Sequence, residues 1–307
     1  MIIHFRVGAK NCIKNQIDNW YITLLIQINK TSNHLNNLII IDNIPSHSIP
    51  FTFNDPYYLI ILINKKAKLT IDFTDYQLNG LNILFLSPFQ LLKCHSAEGE
   101  DITIIKFHSD FYCIEYHNEE VSCNGVLFNN IYEKPFLPID KSLYQDIIYN
   151  LNKLRSYSNS ILKNDISISR SYLQLILALC SKEKHKTHEG MLKKETPNVA
   201  YNFKKMLEEN FIQYKPVAYY AQKFCISSSA FNKKVKAVFY KPPSKLIKER
   251  IILEAKKKLH LTFASIKEIA FDLGFKDEFY FSRFFKKEVG VSPKYFREKT
   301  GISIVAK

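Results

Sequence analysis

SIKEIAFDLGFKDEFYFSRFFKKEVGVSPKYFR, residues Ser265 to Arg297, is the stretch from which the rest of the chain can be read. Ser265 followed three positions later by Glu268 is a capping box, so a helix is predicted to begin there. Ile266, Ile269, Ala270 and Leu273 fall at helical spacing, and Gly274 supplies the left-handed backbone that ends the helix. Asp277 is a good N-cap for a second helix, in which Phe281 and Phe285 make an inward stripe of i, i+4 period. Small Ala270 lets the two helices approach closely. The second helix is expected to end near Gly290, and Ser292 with Pro293 opens another as N-cap and first-turn proline.

The same pattern occurs once before, in KPVAYYAQKFCISSSAFNKKVKAVFYKPPSKLIK, Lys215 to Lys248. Ala221, Phe224, Cys225 and Ile226 answer Ala270, Leu273, Gly274 and Phe275 at a spacing of 49. After one inserted residue the spacing is 50: Phe231, Lys233, Val235, Lys236 and Pro243 answer Phe281, Arg283, Phe285, Lys286 and Pro293. Each copy reads as a short helix, a tight turn and a second helix, the helix-turn-helix unit, over about 216–238 and 265–289.

The second copy resembles the signature of AraC/XylS-type transcriptional activators, with IKEIA, LGF, YFSRFFKK and GVSPKYFR in that order and spacing. The resemblance covers roughly Val199 to Lys299, and RIILEAKKKL, Arg250 to Leu259, looks like the helix that joins the two units in that family. The first copy departs from the pattern. Tyr240 stands at the position of Gly290 and Cys225 at that of Gly274. Non-glycine residues with positive φ are uncommon, so the helix end and the turn of the first unit are expected to be built differently.

Charge points to the same region without reference to any family. Residues 182–307 hold 28 Lys plus Arg against 13 Asp plus Glu, a net of +15, whereas residues 1–181 hold 15 against 16, a net of −1. All the excess positive charge sits on the duplicated module. That asymmetry suggests a polyanion partner for one domain only, since lysines that neutralise phosphates release counterions and drive association. An anionic membrane surface could use the same charge, and a run such as Lys256 to Lys258 taken alone is also what a solvated basic face looks like.

Length and composition supply the frame. A chain of 307 residues with 46% hydrophobic content suits two domains with two cores. SKEKHKTHEGMLKKETP, Ser181 to Pro197, is polar and charged and reads as a solvated linker, with residues 182–197 between domains of 1–181 and 198–300. No apolar run approaches the roughly 20 residues that span a bilayer, and MIIHFRVGAKN lacks the apolar stretch and cleavage site of a signal peptide. A cytoplasmic protein is therefore expected. Cys12, Cys94, Cys113, Cys123, Cys180 and Cys225 form no CxxC pair and no zinc spacing, as in a reducing compartment. Cys225 is expected to be a buried structural thiol, with a redox sensor beside DNA as the other reading.

The amino-terminal part has a different period. Between about Trp20 and Phe111 come TLLIQI, LIIIDNI, YYLIILI, AKLTIDF, LNILFLS and ITIIKF, interrupted by turn residues such as Asn79-Gly80. Many short strands at such intervals imply a sandwich or barrel. After Pro138 the period becomes helical: Leu143, Ile147, Leu151 and Leu154 form one stripe, and Leu173, Ile176, Leu177 and Cys180 another. The fold class expected is α+β multidomain: a β-sandwich or barrel to about residue 138, two helices over about 140–181, and an all-α domain with two helix-turn-helix units joined by a long helix. The resemblance implies that the β-domain is a cupin-like jelly roll that binds an effector and that the helices behind it pair two subunits.

Metal-dependent cupins need several N or O ligands converging on one ion. His47, His95, His108 and His117 are dispersed without an HxH pair, and with 8 glycines in the chain neither a phosphate loop nor a nucleophile elbow is present. No metal, cofactor or catalytic residue is expected, and no enzyme activity. The DNA end is more explicit, because the second helix of such a unit lies in the major groove with its early residues toward base edges. The candidates are Ser228, Ser229, Asn232, Lys233 and Lys236 in the first unit and Glu278, Phe279, Ser282, Arg283 and Lys286 in the second. Asn232 can read adenine, Lys233 can reach guanine acceptors, and Lys236 suits phosphate. Arg283 fits guanine O6 and N7 or a phosphate. Glu278 can accept from cytosine or simply satisfy the helix dipole.

The function expected is that of an effector-responsive, sequence-specific activator of transcription. Its expected partners are double-stranded DNA, a small-molecule effector, a second copy of the chain and RNA polymerase, with no membrane. A ligand-independent architectural protein and a cupin-type enzyme fused to a DNA-binding module are the alternatives.

Overall fold

The computed structural model describes residues 38–45, 48–72, 74–98, 101–113, 127–158, 160, 162–192 and 198–301, the side chains of 187–192 excepted. TLLIQI, His47, His117, Cys12 and Cys123 lie outside these residues, as does the end of the expected linker, 193–197. Among the described residues nine strands come first: β1 (Ile39–Ile44), β2 (Phe51–Phe53), β3 (Tyr58–Asn64), β4 (Ala67–Ile71), β5 (Thr74–Leu78), β6 (Leu81–Leu86), β7 (Leu92–Ala97), β8 (Ile102–Phe107) and β9 (Phe136–Pro138). They form a five-stranded sheet in the order β1-β8-β3-β6-β9 and a four-stranded sheet in the order β2-β7-β4-β5. All pairings are antiparallel, for example Leu59 opposite Leu86 and Ile60 opposite Ile105.

Strand β3 shows why the apolar runs of this region are unbroken rather than alternating. Its Leu59, Ile61 and Ile63 point to the second sheet, where they meet Leu69, Ile71, Leu92 and Cys94. Ile60 and Leu62 point the other way, into a separate core. A strand with both faces covered has no solvent side on which to place polar residues. The cover on the second face is helical: α1 (Lys141–Ser158) and α2 (Lys163–Leu192) bury Ile147, Leu151, Leu154, Leu173, Ile176, Leu177 and Cys180 beside Ile60, Phe85 and Phe107. Leu143 packs at the margin of the same cluster.

Helix α2 runs on to Leu192, through much of the stretch expected to be a linker. The stretch contains no proline before Pro197, and Lys and Glu are good helix formers. Glu183 and Lys186 add an ion pair of 2.8 Å at i, i+3 spacing. Lys184 is only 5% exposed and pairs with Glu133 at 3.3 Å, so one residue of this charged run is packed against the β-domain.

The carboxy-terminal helices are α3 (Val199–Asn210), α4 (Val217–Lys223), α5 (Ser228–Phe239), α6 (Pro243–Leu261), α7 (Ile266–Asp272), α8 (Glu278–Val289) and α9 (Pro293–Thr300). Their starts follow the local chemistry. Ser265 and Glu268 close the capping box at 3.1 and 2.6 Å, and Asp277 accepts from the amides of Phe279 and Tyr280. One aromatic and aliphatic core, with Phe203, Phe231, Val235, Phe281 and Phe285 fully buried, runs through both helix pairs and along α6.

Two expectations about the first pair are corrected. Tyr240 adopts φ 60° at the end of α5, the same left-handed region as Gly290 with φ 91° at the end of α8, and Cys225 with φ 52° matches Gly274 with φ 70°. The helix end and the turn are therefore built alike in both pairs, with the first accepting about 1–2 kcal/mol of strain per left-handed non-glycine residue. Packing of the shared core holds these positions. Cys225 is also exposed rather than buried, because the turn position directs its side chain away from the packed helices.

Candidate nucleic-acid interface

The two longer helices of the pairs, α5 and α8, are divided lengthwise by their packing. In α5 the i, i+4, i+8 series Phe231, Val235 and Phe239 is buried, which leaves Ser228, Ser229, Asn232, Lys233 and Lys236 exposed. In α8 the same series, Phe281, Phe285 and Val289, is buried. Phe279, Arg283 and Lys286 are exposed, and Glu278 and Ser282 are half-buried. All ten candidates thus lie away from the core on their helices. Among the described residues none of Lys233, Lys236, Arg283 and Lys286 forms an ion pair, so four cations on these faces are not committed to carboxylates.

The structure adds residues to this surface. Tyr280 is 58% exposed and follows Phe279, which is 70% exposed, at the start of α8; Lys276 is exposed in the turn before it. An aromatic pair thus stands beside the cations of this face, placing flat apolar rings and positive charge together. With Phe281 assigned to the inward stripe, the sequence leaves both Phe279 and Tyr280 off the core, but only Phe279 is among the sequence candidates.

Helix α6 joins the pairs. Its 19 residues make a rod of about 28 Å at 1.5 Å per residue. One side of this rod lies against the β-domain. Lys241 Nζ donates to the carbonyl of Ile131 at 3.2 Å and to Glu249 at 2.8 Å, and Lys256 Nζ donates to the carbonyl of Pro88 at 2.9 Å. Tyr132 donates to Glu208 of α3 at 2.6 Å. At the far end of the domain the carbonyls that close α9 are capped by the β-domain: His108 Nε2 lies 2.7 Å from Lys299 O, and Ser109 Oγ donates to Thr300 O at 2.9 Å.

Between the two domains is a cavity of about 100 Å³, whose lining includes Asp72, Ser87, Asn129, Lys241, Glu249 and Lys256. Burial raises the pKa of Glu249, against the pull of Lys241. Burial also lowers that of Lys256, to about 8, with Asp72 opposing. This site was invisible in the sequence because its walls come from separate strands, loops and α6. Among the described residues, mostly leucine and isoleucine side chains such as Leu59, Ile61, Leu69 and Ile71 pack together between the two sheets. Among the described residues no group of three His, Cys, Asp or Glu side chains is placed to hold a metal ion. His95 bonds to Thr70 at 2.7 Å, and His108 is at the domain junction described above.

The lowered pKa gives a measurable consequence. The folded chain releases the Lys256 proton near pH 8, while the unfolded chain holds it to about 10.4, so unfolding takes up a proton between those values and stability rises with pH there. Lys256→Met is expected to flatten that rise, which denaturant melts at pH 7 and pH 9 would register. An unchanged pH slope in the variant would place the ammonium in water.

Comparison with known proteins agrees with the geometry. A family model described as a helix-turn-helix domain matches residues 220–299. The raffinose operon transcriptional regulatory protein RafR of Pediococcus pentosaceus is 40% identical over 60 residues, 20% of this chain and 22% of that protein, so the chain spans about a fifth of the length of this curated relative. Among solved structures, the C-terminal domain of the response regulator yesN from Fusobacterium nucleatum is 27% identical, with 32% of this chain and 95% of that chain covered at a TM-score of 0.30. ToxT from Vibrio cholerae is 15% identical, with 85% and 98% covered at a TM-score of 0.39. What these matches share is the carboxy-terminal region, where residues 220–299 are similar to a helix-turn-helix domain.

Proposed function

We propose that this chain is a sequence-specific DNA-binding regulator of transcription that inserts α5 and α8 of each copy into successive segments of the major groove. The observation that carries this is the pair of exposed helix faces, one with Asn232, Lys233 and Lys236 and the other with Phe279, Arg283 and Lys286, on two helix pairs that share one core. Each pair acts as a helix-turn-helix unit, and a rod of about 28 Å can hold the two recognition helices near one DNA turn, about 34 Å, apart. The net charge of +15 on residues 182–307 supplies the phosphate-neutralising term. In this reading Asn232, Lys233 and Arg283 face bases and Lys236 and Lys286 face phosphates.

The amino-terminal two-sheet domain is a cupin-like module over about residues 1–138, α1 and α2 mediate homodimerisation, and the chain activates transcription through RNA polymerase. A small-molecule effector acts in the cavity between the domains, where a ligand touching both would alter how the β-domain holds α6. The leucine and isoleucine packing inside the sandwich supports this placement over one between the sheets. An effector screen by thermal shift therefore needs the full chain, since residues 1–181 alone lack the wall that Lys241, Glu249 and Lys256 supply. If no metabolite shifts the melting of the full chain while DNA does, a ligand-independent architectural role replaces the effector-responsive one. A fragment from Glu189 to Lys307 is expected to bind duplex DNA in a mobility-shift assay. A folded fragment with no affinity for any duplex would count against the DNA reading.

A further inference from the structure

Lys215 lies in the loop between α3 and α4, at the entrance to the first helix pair, yet its side chain reaches the second. Its Nζ donates to the carbonyls of Leu273 and Gly274, each at 2.9 Å, and sits 3.8 Å from the centre of the Phe275 ring. Those carbonyls belong to the carboxyl end of α7 and to the turn that launches α8. A helix end of this kind presents unpaired carbonyls and the negative end of the dipole, which an ammonium satisfies.

The same loop grips the turn at a second point. Gly274 has φ +70°, and a Cβ there would stand 2.9 Å from the carbonyl oxygen of Ile212. The backbones of the two pairs approach too closely at this position for any side chain. The loop is in turn anchored to the joining helix: Arg250 of α6 lies 3.9 Å from the Phe211 ring centre and bonds to Glu208 at 2.7 Å. Burial lowers the pKa of Lys215, as expected where carbonyls and a ring face replace part of its water.

We infer that Lys215 is a positioning residue that fixes the turn of the second helix pair to the first, and so sets the separation at which α5 and α8 enter DNA together. This rests on the two-helix reading proposed above. The shared core seats each pair on α6, yet even a small tilt of one recognition helix moves its base contacts along the groove. The ammonium bracket joins the turn before α8 directly to the loop before α4, and it restrains that tilt without touching a base.

The test uses the full-length chain and duplexes that it selects from a random pool of about 40 base pairs, long enough for two half-sites one turn apart. Inserting one base pair between the selected halves is expected to weaken wild-type binding by about tenfold or more, the size of a lost base contact. Lys215→Met keeps the stem and removes the ammonium; its penalty for the insertion is expected to fall below about threefold, while Lys215→Arg retains most of the wild-type penalty. A uniform loss of affinity, as from a phosphate contact, would leave the ratio between the two spacings unchanged, so a Met variant with the wild-type ratio overturns the inference. Should that variant fail to melt cooperatively, Phe275→Leu removes the ring beneath the ammonium and is expected to relax spacing in the same direction. If the wild-type chain selects no paired halves at all, the two-helix reading itself fails and the positioning role with it. Paired halves with an unrelaxed Met variant reject the role of Lys215 alone.

Discussion

Phe281→Ala is expected to destabilise the chain by about 3–5 kcal/mol, the range for truncating a fully buried phenylalanine. The ring has no exposed surface and lies 5.2 Å from Phe275 and 6.0 Å from Phe285, centre to centre. Both neighbours belong to the second helix pair, so the cavity would open between the turn and the helix that carries Arg283. Urea melts followed by far-ultraviolet circular dichroism measure the loss. A cost below about 1 kcal/mol would mean that this core collapses around the gap or that the ring is not packed as described. Phe231, the matching residue of the first pair, is equally buried and touches Phe203 and Phe224. The corresponding variant should behave alike.

The second large effect is on recognition. Arg283→Ala is expected to cost about 1–3 kcal/mol of discrimination at one base position in one half of the site, while the preference at the other half persists. Arg283 is exposed on α8, one turn beyond Phe279, and the substitution leaves the buried face of the helix untouched. Binding to a panel of duplexes with single-base changes distinguishes the possibilities. An equal loss on every duplex, with a shallower salt dependence, would reassign Arg283 from a base to a phosphate.

These experiments separate packing of the duplicated module from the base reading proposed for it. Packing was legible in the sequence to a large degree. The i, i+4 pair Phe281 and Phe285, the Ser265–Glu268 capping box, the Asp277 cap and the stripes on α1 and α2 are local features, fixed by side chains within a few residues of one another. Local chemistry of that kind survives as a pattern in one dimension. The positions away from the core follow by subtraction from the buried stripe, which is why the ten candidates on α5 and α8 are legible in the sequence. Tyr280 escaped because the buried stripe marks Phe281 as inward but does not say how far its outward neighbours stand from the surface.

The expectations that changed were those resting on residue type without its surroundings. Composition marked 182–197 as a solvated linker, but a helix needs only good formers and no proline, and α2 continues through these charges to Leu192. Cys225 and Tyr240 suggested a differently built first pair, yet both occupy the left-handed backbone that glycine takes in the second. A strain of a few kcal/mol at two positions is outweighed by a common core, and nothing local announces that balance.

By itself the sequence determined that this chain holds a β-rich domain followed by a basic, duplicated helical domain, and which faces of two helices point away from the core. These properties follow from periodicity and caps, which act over one or two helical turns. The tertiary structure alone decided how the parts are held to one another. The bracket from Lys215 to Leu273 and Gly274 spans 58 and 59 residues, the bond from Lys256 to Pro88 spans 168, and the cap from Ser109 to Thr300 spans 191. Contacts between residues so far apart depend on where several independently folded elements come to rest, and that is set by the packing of whole cores rather than by any neighbouring residue.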